Sequence, residues 1–252
     1  MKPLILISND DGYLAKGINA LIEMLRPIGD LLVVAPDHQR SAAGCSITTE
    51  VPITSKIVRQ EEGLTVYSCT GTPADCIKLA LNQHASRKPN LVVSGINHGT
   101  NATINEHYSG TVSIAKEGTM HGIPSIAFSL CDFDADANFA PMTPYVRRLA
   151  EKVLEKGLPY GSLLNVNFPL AETYKRIKIC KMALGTWKDE FTRHEVYYNK
   201  DYYWLGGVNI DDDPNDVLTD NWALNRGYIA ITPIKIDETD YSLMDEVSSW
   251  DL

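Results

Sequence analysis

The chain has 252 residues, 44% hydrophobic and 22% charged, with a formal net charge of −9. Its length suits one large domain that buries a core without disulfides or a structural metal. The acidic balance excludes nucleic-acid backbone as the main ligand, which needs a basic face, but not a small phosphorylated substrate, since a bound divalent cation offsets charge locally.

Five widely spaced cysteines (Cys45, Cys69, Cys76, Cys131, Cys180) with no CxxC pair read as reduced thiols rather than a zinc cluster or disulfide framework. The apolar run Leu4-Ile5-Leu6-Ile7 is too short for a signal peptide. No stretch reaches the ~20 apolar residues of a membrane helix. The expectation is a cytoplasmic protein with neither a membrane nor a nucleic-acid partner.

In chain order, residues 3–8 predict a buried strand that ends at Asn9-Asp10-Asp11-Gly12. Ile18, Leu21, Ile22 and Leu25 predict an amphipathic helix, and 31–35 a second buried strand stopped by Pro36. This is a β-α-β unit, so its strands should be parallel. Residues 47–70 read as extended segments rich in β-branched side chains. Thr72-Pro73 opens a helix, with Thr as N-cap and Pro at the first helical position.

A buried strand over 91–93 ends at Ser94-Gly95, before a loop rich in Asn and Gly. A helix is expected from Ser109 or Gly110 to Gly122, a strand over 124–130, a helix opened by Thr143-Pro144 and ending near Gly157, and a strand over 163–168. Alternating helices and nearly continuous apolar strands predict an α/β fold, a Rossmann-like three-layer core with a mostly parallel sheet. After about residue 175 helical periodicity fades, and Tyr197, Tyr198, Tyr202, Tyr203, Trp204 and Trp222 crowd a polar, acidic stretch. The expected organisation is a single domain over 1–252, with a core over about 1–175 and a C-terminal β-hairpin arm over 176–252. The arm serves oligomer contacts or is a peripheral hairpin of the same domain.

Ligands of open parallel sheets bind outside the carboxyl ends of the strands. Three polar loops fall there: 8–12, 36–46 and 94–111. In the first, adjacent Asp10 and Asp11 repel each other unless a cation binds; a solvated turn is the plain alternative. In the second, Ser41 offers a hydroxyl oxygen to a metal or phosphate, and Arg40 can pair with a phosphate. In the third, Asn97 and Asn101 supply neutral oxygens and amide donors. Ser109, Gly110 and Thr111 stand at a helix N-terminus, where free N–H groups and the dipole attract an anion; Ser109 can also act simply as the cap. His38, His98 and His107 lie in or near these loops as general-acid candidates, although loop histidines are usually just solvated.

A cation beside an anion cradle suits phosphoryl transfer to water. No GxxxxGK[ST], no GxGxxG after the first strand and no GxSxG elbow is present. Two rivals share these features: a non-catalytic nucleotide sensor, and a metal-dependent glycosyltransferase that holds a nucleotide-sugar diphosphate.

The segments ISNDDG (7–12), APDHQRSAAGCSIT (35–48), GTPADCIKLAL (71–81), SGINHGTN (94–101), YSGT (108–111) and GYIAITPI (227–234) resemble the SurE family, in family order and across most of the chain. The resemblance implies a metal-dependent 5′/3′-nucleotidase acting on nucleoside monophosphates, with a side activity on short polyphosphate in some members. It implies one divalent ion per subunit (Mg²⁺ or Mn²⁺) held by Asp10, Asp11, Ser41 and Asn97. It also implies phosphate contacts from Asn101, Ser109, Gly110 and Thr111, and a homodimer or homotetramer with exchanged C-terminal segments. Asp10 or Asp11 would orient or deprotonate the attacking water. The chain departs from the family pattern at Thr103 and Asn105, where Gly and Asp are usual, and over 112–118, which replaces a segment close to GAAMEG. These departures bear on loop flexibility and substrate preference.

Overall fold

The computed structural model describes residues 1–197 and 200–251. Tyr198, one of the crowded aromatic residues, lies outside the described residues. The first strand, β1 (Leu4–Ser8), is buried at every position, as a central strand covered on both faces must be. α1 (Lys16–Leu25) buries Ile18, Leu21, Ile22 and Leu25 and leads to β2 (Asp30–Pro36), which pairs with β1 in parallel.

Of the extended stretch 47–70, only an antiparallel hairpin around Gly63 is strand: β3 (Ser55–Glu61) and β4 (Leu64–Cys69). α2 (Pro73–Leu79) starts as expected, with Thr72 and Asp75 closing a capping box. β5 (Leu91–His98) differs from expectation. Gly95 does not end it: pairing with the next strand shifts register between Ser94 and Asn97 and then resumes. Asn97 therefore sits on strand, opposite Ser129, and not in a loop.

α3 (Gly110–Met120), β6 (Ser125–Leu130), α4 (Thr143–Lys156) and β7 (Ser162–Phe168) follow the predicted order. Thr143 is not a cap, however. A 3₁₀ turn at Ala140–Met142 precedes it, which makes it the first helical residue. The remaining elements are β8 (Ile177–Ile179), β9 (Gly185–Lys188), β10 (Phe191–Tyr197), β11 (Lys200–Leu205), β12 (Val208–Asp211), α5 (Asp220–Leu224), β13 (Ile229–Lys235) and α6 (Tyr241–Ser248).

The main sheet has nine strands in the order β3-β4-β2-β1-β5-β6-β7-β13-β8. All neighbours are parallel except β3–β4 and β7–β13. Its last two strands come from beyond residue 175. β9 with β12, and β10 with β11, form two separate two-stranded sheets that make up the arm, on which Phe191, Tyr202, Tyr203, Trp204 and Leu205 are at least half exposed. One face of the sheet packs on α1 and α4, through Ile5, Ile7, Leu21 and Val146. The other packs on α2 and α3, through Leu4, Leu6, Ile77 and Ile114. This is the three-layer, mostly parallel α/β architecture read from the sequence. The chain leaves β1 toward β2 on one side and places β5 on the other, so the topological switch point lies between β1 and β5.

Candidate active site

The loop after β1 carries Asp10 and Asp11 to that switch point. Gly12 closes the loop at φ +97°, a conformation that side chains avoid. Asn9 Nδ2 donates to the Gly12 carbonyl (3.0 Å). Asp10 is buried, 5% exposed. Its Oδ1 accepts from Thr111 Oγ1 at 2.5 Å, and the same hydroxyl lies 3.3 Å from Asn97 Oδ1. Strand end β1, strand extension β5 and the first turn of α3 thus meet in one oxygen-rich cluster.

Gly110 makes the approach possible. A Cβ there would sit 2.7 Å from Asp10 Cβ and 2.8 Å from Asp10 Oδ2. Ser109 Oγ accepts from Val112 N (3.0 Å), so it caps α3 and keeps its own O–H as a donor.

Asn101 is held from beneath. Its backbone N–H donates to Asn167 Oδ1 (2.8 Å), its carbonyl accepts from Asn165 Nδ2 (2.8 Å), and its own Nδ2 donates to Ser129 Oγ (2.8 Å). Asn167 Nδ2 closes the network on Asn165 Oδ1 (3.1 Å). Asn101 thus lies next to the cluster with its amide N–H turned inward. Ser41 stands apart. It is exposed, and its Oγ accepts from Gln39 Nε2 (2.8 Å). Its loop reaches the centre through Arg40 N, which donates to the Asp10 carbonyl (2.7 Å).

Asn165, Asn167 and Ser129 escaped the sequence reading. The alternating Asn-Val-Asn inside the buried strand 162–168 is the signal that marks two of them, because a buried amide must find a partner.

Burial pushes the Asp10 carboxyl up to about 6, with Asp11 adding to the rise and the Thr111 hydrogen bond opposing it. Burial also raises Asp11, and the nearby His98 opposes that. His98 Nδ1 lies 3.0 Å from the Asp134 carbonyl. His38 and His107 pair with their acidic neighbours Asp37 and Glu106. Of the three histidines, His98 is the one that lies beside Asp11.

Asp11 Oδ2 is buried without any hydrogen-bond partner. Two adjacent desolvated carboxylates, one with an orphaned oxygen, fit a cation. Among the described residues no three His, Cys, Asp or Glu side chains gather as a metal-holding group. The available donors are two carboxylates with amide and hydroxyl oxygens, a set for a hard ion such as Mg²⁺ or Mn²⁺ rather than zinc. A hollow of about 350 Å³ opens beside this loop between Tyr13, Asp37, Ser55, Lys56, Ser68 and Thr70. A larger one, about 480 Å³, lies between Lys16, Met24, Phe139 and Arg147; neither Asp10 nor Asp11 lines either hollow.

Thr103, at a position where the resemblance leads one to expect Gly, has φ +61°, a left-handed conformation that is strained for a β-branched residue. Thr103→Gly is expected to stabilise the protein by about 1 kcal/mol, a rise in melting temperature of about 2–4 °C. Thermal unfolding of the two proteins in one buffer checks this.

Residues 5–189 match the family described as Survival protein SurE. A protein named 5′-nucleotidase SurE from Bacteroides fragilis is 52% identical over 251 residues, covering 100% of this chain and 98% of its own. One of the same name from Caldanaerobacter subterraneus is 42% identical, covering 99% and 98%. The crystal structure of SurE protein from Aquifex aeolicus superposes with a TM-score of 0.84 at 37% identity, covering 98% of each chain.

Proposed function

The chain belongs to the SurE family, and on that premise we propose that it is a nucleotidase that hydrolyses nucleoside 5′- and 3′-monophosphates with the help of one divalent ion per subunit, Mg²⁺ or Mn²⁺. The observation that carries the reading is the meeting of Asp10, Asn97 and Thr111 directly against the N-terminus of α3. Asp10, Asp11 and Asn97 would hold the ion; Ser41, whose hydroxyl turns to Gln39, would complete the set only if its loop swung inward. When bound, it neutralises charge on the phosphate and acidifies water.

The chain's own groups do the rest. The N–H groups at Gly110 and Thr111 and the Ser109 hydroxyl would hold phosphate oxygens at the positive end of the helix dipole, with the Thr111 N–H shared with Asp10. Asn101, locked by Asn165 and Asn167, sets the shape of the opposite wall. Water attacks phosphorus and the P–O ester bond breaks. Asp10 or Asp11 orients the water and accepts one of its protons; that proton passes on to the leaving oxygen, so the nucleoside leaves as its hydroxyl, and the water's other proton stays with the phosphate.

Short polyphosphate, which ends in the same phosphate group, is a side substrate on this reading. The exposed apolar side chains of the arm support a homodimer or homotetramer. The free cysteines fit the reducing, nucleotide-rich cytoplasm. Among the described residues no helix is long and apolar enough to cross a membrane.

A substrate panel tests the reading. With Mn²⁺ present, free phosphate is expected from 5′-AMP, 5′-GMP, their 3′ isomers and tripolyphosphate. Stoichiometric binding of these nucleotides without any phosphate release would favour a sensor instead.

A further inference from the structure

The segment just before the phosphate-binding turn is a 3₁₀ helix, Thr103–Tyr108. Such helices have poor hydrogen-bond geometry and seldom run beyond a few residues unaided. This one also begins at the strained Thr103. A turn of this kind persists only where its surroundings over-determine it, and here the surroundings come from far along the chain.

Asp220, 1% exposed, accepts three backbone N–H groups: Thr103 at 2.9 Å, Ala183 at 3.0 Å and Asn221 at 2.8 Å. One buried carboxylate therefore staples the start of the turn to the root of the arm and to α5. On the arm itself, Trp187 Nε1 donates to Asn105 Oδ1 at 3.1 Å. Lys116 Nζ, in α3, lies 3.0 Å from Glu106 Oε1 and 3.4 Å from Glu238 Oε1, tying the turn to the segment after β13. All three ties fall within 103–106, and two of them use Thr103 and Asn105, the positions that depart from the family pattern. The turn then runs into Ser109 and Gly110, and Gly110 lies directly against Asp10.

We propose that Trp187 and Asp220 are positioning residues for phosphate. Acting through Asn105 and Thr103, they fix the 103–108 turn and so the start of α3, which makes the arm part of the substrate-binding apparatus. This rests on reading the start of α3 as the phosphate site. Neither residue touches phosphate. Each acts by holding the turn, and a shift of about 1 Å in a positioned group is enough to matter.

The test is calorimetric binding of inorganic phosphate to the full chain with Mn²⁺ present, so it does not depend on turnover. Asn105→Leu and Trp187→Phe each remove the same half-buried hydrogen bond and keep most of the side chain's bulk. Both are expected to weaken phosphate binding about three- to tenfold and to raise KM for 5′-AMP by the same factor, with Mn²⁺ affinity unchanged. Asn105→Asp keeps the acceptor for Trp187 and is expected within twofold of wild type.

Unchanged phosphate affinity in both Asn105→Leu and Trp187→Phe would overturn the proposal, as would equal weakening in Asn105→Asp. Wild type that binds phosphate yet releases none from nucleotides would count against the nucleotidase alone and leave this test intact. Wild type that binds no phosphate would remove the site on which both rest.

Discussion

Asp10→Asn is expected to abolish phosphate release while making the cation-free protein more stable. The carboxylate is buried beside Asp11, and burial lifts it from 3.8 to about 6. The folded chain therefore binds this proton more tightly than the unfolded chain does. Stability from this group is fully present below the unfolded value of 3.8 and is lost as pH rises through about 6. Above that the folded protein carries a poorly solvated charge, worth at most about 3 kcal/mol. Asn keeps the shape and the oxygen that accepts from Thr111, and it removes the charge.

In EDTA the variant should therefore melt higher than wild type at pH 8, with the gap nearly closed at pH 4. With Mn²⁺ its phosphate release should fall about 10³-fold or more. A variant that is inactive and less stable at pH 8 would mean that Asp10 is a structural residue.

The second large effect is expected at Gly110. An added methyl would overlap Asp10 Cβ at 2.7 Å and Oδ2 at 2.8 Å. Neither neighbour is the free end of a flexible chain: one is the stem of a short side chain, and its carboxylate is locked by Thr111. The start of α3 or the end of β1 must move. Gly110→Ala should lower kcat/KM about a hundredfold and destabilise the fold by about 1–3 kcal/mol. Gly206→Ala is the control, since nothing lies within 4 Å of a Cβ there, and it should change neither quantity. Full activity in Gly110→Ala would mean that contact between the helix start and Asp10 is not needed for catalysis.

Much of this site is legible before any coordinates, because strand ends and helix starts leave strong local marks. The apolar run 4–7 breaking at Asn-Asp-Asp-Gly, and Ser-Gly-Thr opening α3, place Asp10 and Thr111 on facing loops without knowledge of the fold. Three features were not legible, each for a long-range reason. Asn97 sits on strand because β6 resumes pairing past Gly95, and nothing near Gly95 in sequence announces that. Asn101 is fixed by Asn165 and Asn167, more than sixty residues away. The stretch beyond residue 175 reads as an arm because its aromatic residues dominate it, yet Ile229–Lys235 returns to the main sheet beside β7. Its first four residues are buried like those of a core strand, and only its pairing partners show which edge of the sheet it joins. Ser41 shows the opposite limit: its loop is obvious in sequence, but its hydroxyl faces Gln39 rather than the carboxylates.

The most direct measurement is phosphate release from 5′-AMP by the wild-type chain, first stripped with EDTA and then titrated with Mn²⁺. The proposed function predicts no release from the stripped protein and recovery that saturates at one ion per chain, since on that reading Asp10 and Asp11 hold a single ion between them. Full release in EDTA, with Mn²⁺ adding nothing, would contradict the account at its centre.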